Sequence, residues 1–464
     1  MWCQTHPMTT RIVVIGADAA GASAASTIKR GLRDRAHVLV LERQEWTSYA
    51  ACGIPYWVSG DIAEMQSLVA RSPEQHRANG LDLRTGVEAI AIDPASRTVT
   101  ARTLATGQIE VHTYDHLVVA TGAVPLRPPI PGLDLPGVHG VQTLDDGLAA
   151  LESLSAGPAR AVVIGAGYIG IEMAEAMCTR GLATTVVDMA DEPMPTLDPD
   201  MGALVRAAME GMGIAYRGGA GVQSVRPGPD GRVAAVVTAE ATYPADMVVL
   251  GLGVRPRTEL ASDAGLPIGA RGGIRTDEHL RVEGHADIWA GGDCIEVLDR
   301  VSGQHTHIAL GTHANKHGRI IGANIVAAVT GTGPELVFPG VVGTAISRIC
   351  ELEISRTGLR EAQARELGLD VVTATIEAGT RAHYFPGGGA IHVKVIAQRG
   401  TGRLLGVQIV GQAGAGKRID AAATAIWNEM TVEEVTELDL AYAPPFSPVW
   451  DPLQIATRRA ASLV

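Results

Sequence analysis

Cys52 lies in the run Ser48-Tyr49-Ala50-Ala51-Cys52-Gly53-Ile54-Pro55-Tyr56, between two glycine-rich segments of the kind that cradle phosphates. A thiolate attacks disulfides, but a free cysteine with a pKa near ~8.5 needs help to ionise at neutral pH. Gly53 and Pro55 suit the entrance of a helix, where proline is tolerated and the helix dipole favours an anion. An isolated cysteine is more often a small buried hydrophobe. Its chemistry therefore rests on what surrounds it.

The first glycine-rich segment follows the apolar run Arg11 to Ile15 and reads Gly16-Ala17-Asp18-Ala19-Ala20-Gly21. Asp18 stands where a complete GxGxxG pattern has its middle glycine. Its carboxylate would repel a phosphate, so its side chain is expected to face away. The run Val38 to Leu41 then ends on Glu42, giving the strand, helix, strand and acid order of a dinucleotide site. The second segment follows Ala161 to Ile164 and is complete, with Gly165, Gly167 and Gly170. Its second strand, Thr184 to Val187, ends on Asp188, an acid that accepts hydrogen bonds from a ribose diol and repels a 2′-phosphate. NADH is thereby favoured over NADPH. Two dinucleotide patterns in series suggest that electrons pass from one cofactor to another, with Cys52 as their destination.

The elements that must position these residues repeat at domain scale. Leu117 to Ala120 is an apolar strand ending at Thr121-Gly122, and Met247 to Leu250 ends in the same way at Gly251-Leu252-Gly253. Pro125 to Pro136 reads as a linker, and Gly331-Thr332-Gly333-Pro334 breaks the chain again. Beyond that break, Ile391 to Ile396 alternates at period two and Leu404 to Val410 follows across a turn, as in an antiparallel sheet.

The bulk properties narrow the function. A chain of 464 residues suggests about three domains. A net charge of −12 argues against a general nucleic-acid surface. The five cysteines, Cys3, Cys52, Cys178, Cys294 and Cys350, are scattered without CxxC or metal-ligand spacing, which fits a reducing compartment and no metal site. His305, His307, His313 and His317 give no ligand geometry either. Cys178, Cys294 and Cys350 are expected in the core. No run approaches the ~18 apolar residues of a membrane helix, and Met1 to Thr10 lacks the apolar stretch of a secretory signal. A cytoplasmic protein is expected.

Taken together, these motifs resemble the flavoprotein pyridine nucleotide-disulfide oxidoreductases. The order runs through both fingerprints, Ala120-Thr121-Gly122, Gly251-x-Gly253-x-Arg255-Pro256 and Ala290-Gly291-Gly292-Asp293. Thr47 and Trp57, five residues either side of Cys52, rule out a CxxxxC pair. The likeness is therefore to the single-cysteine branch of coenzyme A disulfide reductases, persulfide reductases and NADH oxidases or peroxidases. Ser48-Tyr49-x-x-Cys52-Gly53-x-Pro55-Tyr56 and Tyr442-Ala443-Pro444-Pro445-Phe446 are close to the coenzyme A disulfide reductase signatures. The family's YAPPY here ends in Phe446.

The resemblance implies an α/β fold of two Rossmann-like domains and a C-terminal α+β dimerisation domain. FAD would occupy 9–124 with 257–333, NAD(P) 125–256, and dimer contacts 334–464. For FAD it implies Gly16, Ala20, Gly21, Glu42, Arg43, Thr121, Gly122, Asp293 and Ala314. For NADH or NADPH it implies Gly165, Gly167, Tyr168, Ile169, Gly170, Asp188 and Gly253. Coenzyme A, as substrate or mixed disulfide, would meet Thr27, Arg30, Ser48 and Arg71, with Lys29, Arg33 and Arg35 adding to a basic patch. Tyr384 and Tyr442 would reach Cys52 from the partner subunit of a homodimer.

The implied reaction is reduction of coenzyme A disulfide or persulfide by NAD(P)H through FAD and Cys52. Two alternatives stay open. One is an NADH oxidase or peroxidase using a Cys52 sulfenic acid, against which stands Ala19, where those enzymes carry a histidine. The other is an electron-transfer flavoprotein without cysteine chemistry.

Overall fold

The computed structural model describes residues 9–464; Cys3 lies outside them. Two five-stranded parallel sheets are built on one plan. In the first, the strand Thr10–Ile15 lies between Ala36–Leu41 and His116–Val119, with Asp82–Arg84 and Ile288–Ala290 at the edges. In the second, Arg160–Ile164 lies between Ala183–Val187 and Met247–Leu250, with Ala215–Arg217 and Val138–His139 outside. Helices and loops cover these sheets, so their strands read as continuous apolar runs rather than alternating ones. Ile12, Val14, Val163 and Val249 are fully buried, each such side chain contributing about 1.5–3 kcal/mol.

An antiparallel ribbon, Ala123–Pro125 against Val254–Pro256, carries the chain between the two sheets. Each module also bears a three-stranded antiparallel flap, 87–113 in the first and 222–244 in the second. The C-terminal region is a five-stranded antiparallel sheet in the order Ala345–Ile349, Leu352–Gly358, Leu404–Gly411, Ala390–Gln398, Val371–Gly379. The alternation expected from Ile391 to Ile396 is absent. This strand lies between two others with most of its residues buried, and even Lys394 is only 5% exposed.

Lys394 is held by acids from two domains. Its Nζ lies 2.8 Å from Asp200, 3.2 Å from Asp198 and 3.4 Å from Glu361. Gln408 completes the cluster, its side-chain amide donating to Asp198 and its oxygen accepting from the Asp198 backbone N–H, both at 2.8 Å. This cluster ties the second module to the C-terminal sheet. The first module is closed by a contact between its own two segments. The helix Ala19–Leu32 packs on the long helix Gly311–Thr330, whose Gly318 and Gly322 bring it close: a Cβ on Gly318 would lie 2.2 Å from the Ala20 carbonyl oxygen. That contact carries the functional site, because it sets residues of the long helix beside Ser23, Thr27 and Arg30.

Candidate active site

Both glycine loops are fixed by sterics before any ligand is considered. Gly16 and Gly165 have φ of +97° and +100°, and a Cβ on either would meet a backbone oxygen, 2.2 Å from Ala120 or 2.4 Å from Gly251. Gly21 and Gly170 let each helix close on its own loop, a Cβ there falling 1.9 and 2.0 Å from the oxygens of Gly16 and Gly165. Neither following helix, Ala19–Leu32 or Tyr168–Thr179, has a side-chain cap, so both N-termini present free N–H groups and partial positive charge to a phosphate.

The acid ending each second strand is locked in the same way. Glu42 accepts from the N–H of Ala17 at 2.7 Å and of Gln44 at 2.9 Å. Asp188 accepts from the N–H of Ala166 at 2.6 Å and of Ala190 at 2.7 Å. Each carboxylate thus points at its glycine loop, with lone pairs left for a ribose. These features fit two dinucleotides. Around the first loop, Thr121 Oγ1 donates to the Arg257 carbonyl at 2.6 Å, and Gly292 N–H donates to His317 Nδ1 at 3.1 Å. Ala20 and Ala314 pack against Gly292. Arg43 is exposed and faces Glu88 at 4.0 Å. In the second module Tyr168 and Ile169 open the helix and Gly253 begins the return into the ribbon.

Cys52 is exposed, in a single turn at Ala51–Gly53 that leads into the helix Ile54–Ser59. Gly53 packs closely there: a Cβ would lie 2.3 Å from the end of the Leu68 side chain, which would have to move. Ile54, Trp57 and Val58 bury that helix, and Arg180 of the second module donates to the Val58 carbonyl at 2.7 Å. The sequence places a thiol at a helix entrance correctly, but the expected lowering of its pKa does not follow. Desolvation by the surrounding protein, followed by the charges of Glu172 and Asp293, pushes the thiol above its ordinary range.

Glu172 was not read from the sequence. It lies on the helix that follows the second glycine loop, and its Oε1 accepts from Ser347 Oγ at 2.6 Å. Its position two residues past Gly170 was the available signal. Asp293 is half-buried, its carboxyl raised by desolvation and partly restored by His307. The adjacent Cys294 is fully buried, as expected. Cys178 and Cys350 depart from that expectation: both are half-buried at the seam between the second module and the C-terminal sheet, where Met212 lies 3.0 Å from Cys350 Sγ.

A cavity of about 550 Å³ opens between the first helix, the Ser48–Ala50 loop and the long helix. Thr27, Arg30, Ser48 and Arg71 all line it. Lys29, Arg33 and Arg35 do not. Arg319 and Asn315, from the long helix, add a third guanidinium and an amide that sequence reading missed. Ser48 adopts a left-handed backbone, φ 47°, that turns its Oγ to 2.9 Å from His76 Nε2. Desolvation and Arg71 keep His76 neutral. Asp18 also lines this cavity, and burial, then the Glu42 charge, raises its carboxyl to about 7. Cys52 lies two residues beyond the cavity residue Ala50. Tyr384 and Tyr442 stand on the exposed face of the C-terminal region, 64% and 47% exposed. Among the described residues no group of three metal-ligating side chains exists, and no helix is long and apolar enough to cross a membrane.

Comparison with known proteins places this architecture. Residues 10–318 match the pyridine nucleotide-disulphide oxidoreductase family, and 344–452 match its dimerisation domain. The chain is 40% identical over 451 residues to the CoA-dependent NAD(P)H sulfur oxidoreductase of Pyrococcus furiosus, covering 97% of this chain and 98% of that one. It is 36% identical to an NADH oxidase of Methanocaldococcus jannaschii, with 97% and 98% covered. A NAD-dependent persulfide reductase from A. fulgidus superposes with a TM-score of 0.94 at 38% identity, covering 98% of this chain and 83% of that one.

Proposed function

The chain belongs to the pyridine nucleotide-disulphide oxidoreductase family, and from that premise we propose that it reduces coenzyme A disulfide or a CoA persulfide. The electrons come from NAD(P)H, and FAD, when bound, relays them in pairs between nicotinamide and sulfur. Gly16, Gly21, Glu42, Thr121 and Asp293 hold the flavin; Gly165, Gly167, Gly170 and Asp188 hold the nicotinamide nucleotide.

The observation that carries this reading is the cavity lined by Ala50, two residues before Cys52. It gathers Arg30, Arg71 and Arg319 in a protein whose net charge is −12, and guanidinium groups favour phosphates through bidentate hydrogen bonds. Coenzyme A combines such phosphates with a long arm ending in a thiol. Seated in this cavity, it brings that sulfur toward the Cys52 loop. The Cys52 thiolate attacks the disulfide, forms a Cys52–S–S–CoA bond and expels the second coenzyme A as thiolate; with a persulfide it takes the outer sulfur instead.

The reaction unit is a homodimer, in which Tyr384 and Tyr442 of a second copy close the site. Asp188 favours NADH. The unpaired cysteines among the described residues suit the reducing cytoplasm.

Intact-protein mass spectrometry after exposure to CoA disulfide tests the assignment. The expected result is a reductant-sensitive adduct of coenzyme A mass on the Cys52 peptide. Rapid NADH-dependent oxygen consumption without that adduct would favour the oxidase reading, which relatives named NADH oxidase make the natural rival.

A further inference from the structure

Three guanidiniums attract a phosphate, but a hydroxyl on the same wall helps only if it presents its proton rather than its lone pairs. Ser48 and His76 both line the cavity, and their contact decides which of the two Ser48 presents. The Ser48 backbone is fixed first. Its N–H donates to the Ala17 carbonyl at 3.2 Å, and its carbonyl accepts from the Ala70 N–H at 2.8 Å, on either side of the left-handed turn at φ 47°.

His76 reaches Ser48 from the short helix Pro73–Ala78. A capping box starts that helix: Gln75 N–H donates to Ser72 Oγ at 3.3 Å, and Ser72 N–H donates to Gln75 Oε1 at 2.8 Å. Thr47 Oγ1 donates to the Arg71 carbonyl at 3.2 Å, which ties the residue before Ser48 to the approach to the helix. The imidazole is only 2% exposed, and its Nε2 lies 2.9 Å from Ser48 Oγ.

The other ring nitrogen settles the direction of that bond. Desolvation, then the Arg71 charge, keeps the ring neutral, so one nitrogen carries a hydrogen and the other is bare. Nδ1 is buried and meets no partner among the described residues. An orphaned buried N–H is rarer than an under-used acceptor, so the bare nitrogen is Nδ1 and the hydrogen sits on Nε2. Nε2–H then donates to Ser48 Oγ, and Ser48 keeps its own proton to give.

We propose that His76 is a positioning residue: by donating to Ser48 Oγ it makes the Ser48 hydroxyl a donor to a phosphate oxygen of the ligand in the arginine-lined cavity. Such a bond is charge-assisted and adds to those of Arg30, Arg71 and Arg319. Ser23 on the same wall is not available for this, since its hydroxyl donates to Asn315 Oδ1 at 3.0 Å.

This inference rests on the reading that the cavity takes a phosphate-bearing substrate. The test is calorimetric binding of adenosine 3′-phosphate 5′-diphosphate, the phosphate-bearing end of coenzyme A. The FAD-loaded enzyme is used with saturating NAD⁺, so that both glycine loops are occupied. Ser48→Ala and His76→Phe should each raise Kd about tenfold, the scale of one charge-assisted hydrogen bond. His76→Gln keeps an N–H donor and should stay within about threefold of the wild type. On the Ser48→Ala background, His76→Phe should change Kd by less than about twofold, because the imidazole acts only through that hydroxyl.

Wild-type affinity in Ser48→Ala overturns the proposal whether or not the His76 variants fold. A full loss from His76→Phe on the Ser48→Ala background also overturns it, since that marks a structural ring, as does a Gln variant as weak as the Phe one. If CoA disulfide forms no adduct with the enzyme, the choice of coenzyme A fails separately and the same cycle is read with inorganic pyrophosphate. A wild type that binds neither probe overturns this inference too.

Discussion

In the first nucleotide module Asp18 fills the third place of the glycine loop and faces the cavity, whereas in the second module that place is Gly167, with open space where a Cβ would be. The flanking glycines are the same in both, because a backbone oxygen waits at each of them. The acids Glu42 and Asp188 also make equivalent bonds to backbone N–H groups. The difference shows which positions the fold dictates and which are left to chemistry. Sterics fix Gly16, Gly21, Gly165 and Gly170. The third position is free, and in the module that leads to Cys52 it carries a carboxyl.

This contrast can be broken most violently at Gly165. Gly165→Ala places a methyl 2.4 Å from the Gly251 oxygen at a φ of +100°, and should cost at least about 3 kcal/mol in denaturant unfolding. Gly167→Ala should leave stability within about 1 kcal/mol, the Gly-to-Ala scale for an unstrained site. Equal losses at the two would refute the distinction.

A second large effect concerns how the modules are anchored. Lys394→Met leaves Asp198, Asp200 and Glu361 clustered without their cation, and should destabilise the chain by about 3–5 kcal/mol. The ion cluster also gives a pH signature. Glu361 is held below the ordinary carboxylate range, first by Arg365 and then by Lys394. Its contribution is present above that range and is lost as pH falls through the depressed value. Acid titration of unfolding free energy should show this loss in the wild type and a smaller one in Lys394→Met.

Smaller effects sharpen the division of labour between ligands. Asp188→Ala should weaken NADH binding about tenfold, the scale of one charge-assisted hydrogen bond, and narrow the gap to NADPH. Arg319→Ala should raise KM for CoA disulfide by a similar factor, about tenfold, and leave KM for NADH unchanged. Arg30→Glu should act in the same direction. The two arginine effects should shrink in high salt, which screens exposed charges.

Much of this was legible in the sequence because the signals are local. A strand, a glycine loop, a helix and a closing acid all fall within about 30 residues, so the pattern declares itself twice, once in each module. Cys52 was legible through its neighbours, since Gly53 and Pro55 mark the turn and helix start that the structure shows. The basic cavity was only half legible. Arg30 and Arg71 lie within the N-terminal segment of their module, but Arg319 reaches the cavity because Gly318 and Gly322 let two helices meet that are almost 290 residues apart in the chain. Spacing cannot report such a contact. Lys394 was hidden for a related reason: its strand reads as alternating, while its charge is satisfied by Glu361 of its own domain together with Asp198 and Asp200 of another. The fate of the Cys52 pKa was also out of reach, because burial raises it first and Glu172 and Asp293 then add to it from two separate elements.

The central claim is that Cys52 is where electrons leave the protein. Cys52→Ser tests it most directly, by anaerobic stopped-flow reduction of the flavin with NADH alongside steady-state reduction of CoA disulfide. Flavin reduction at the wild-type rate with disulfide turnover at background is the predicted result. Turnover of CoA disulfide by Cys52→Ser at the wild-type rate would contradict it.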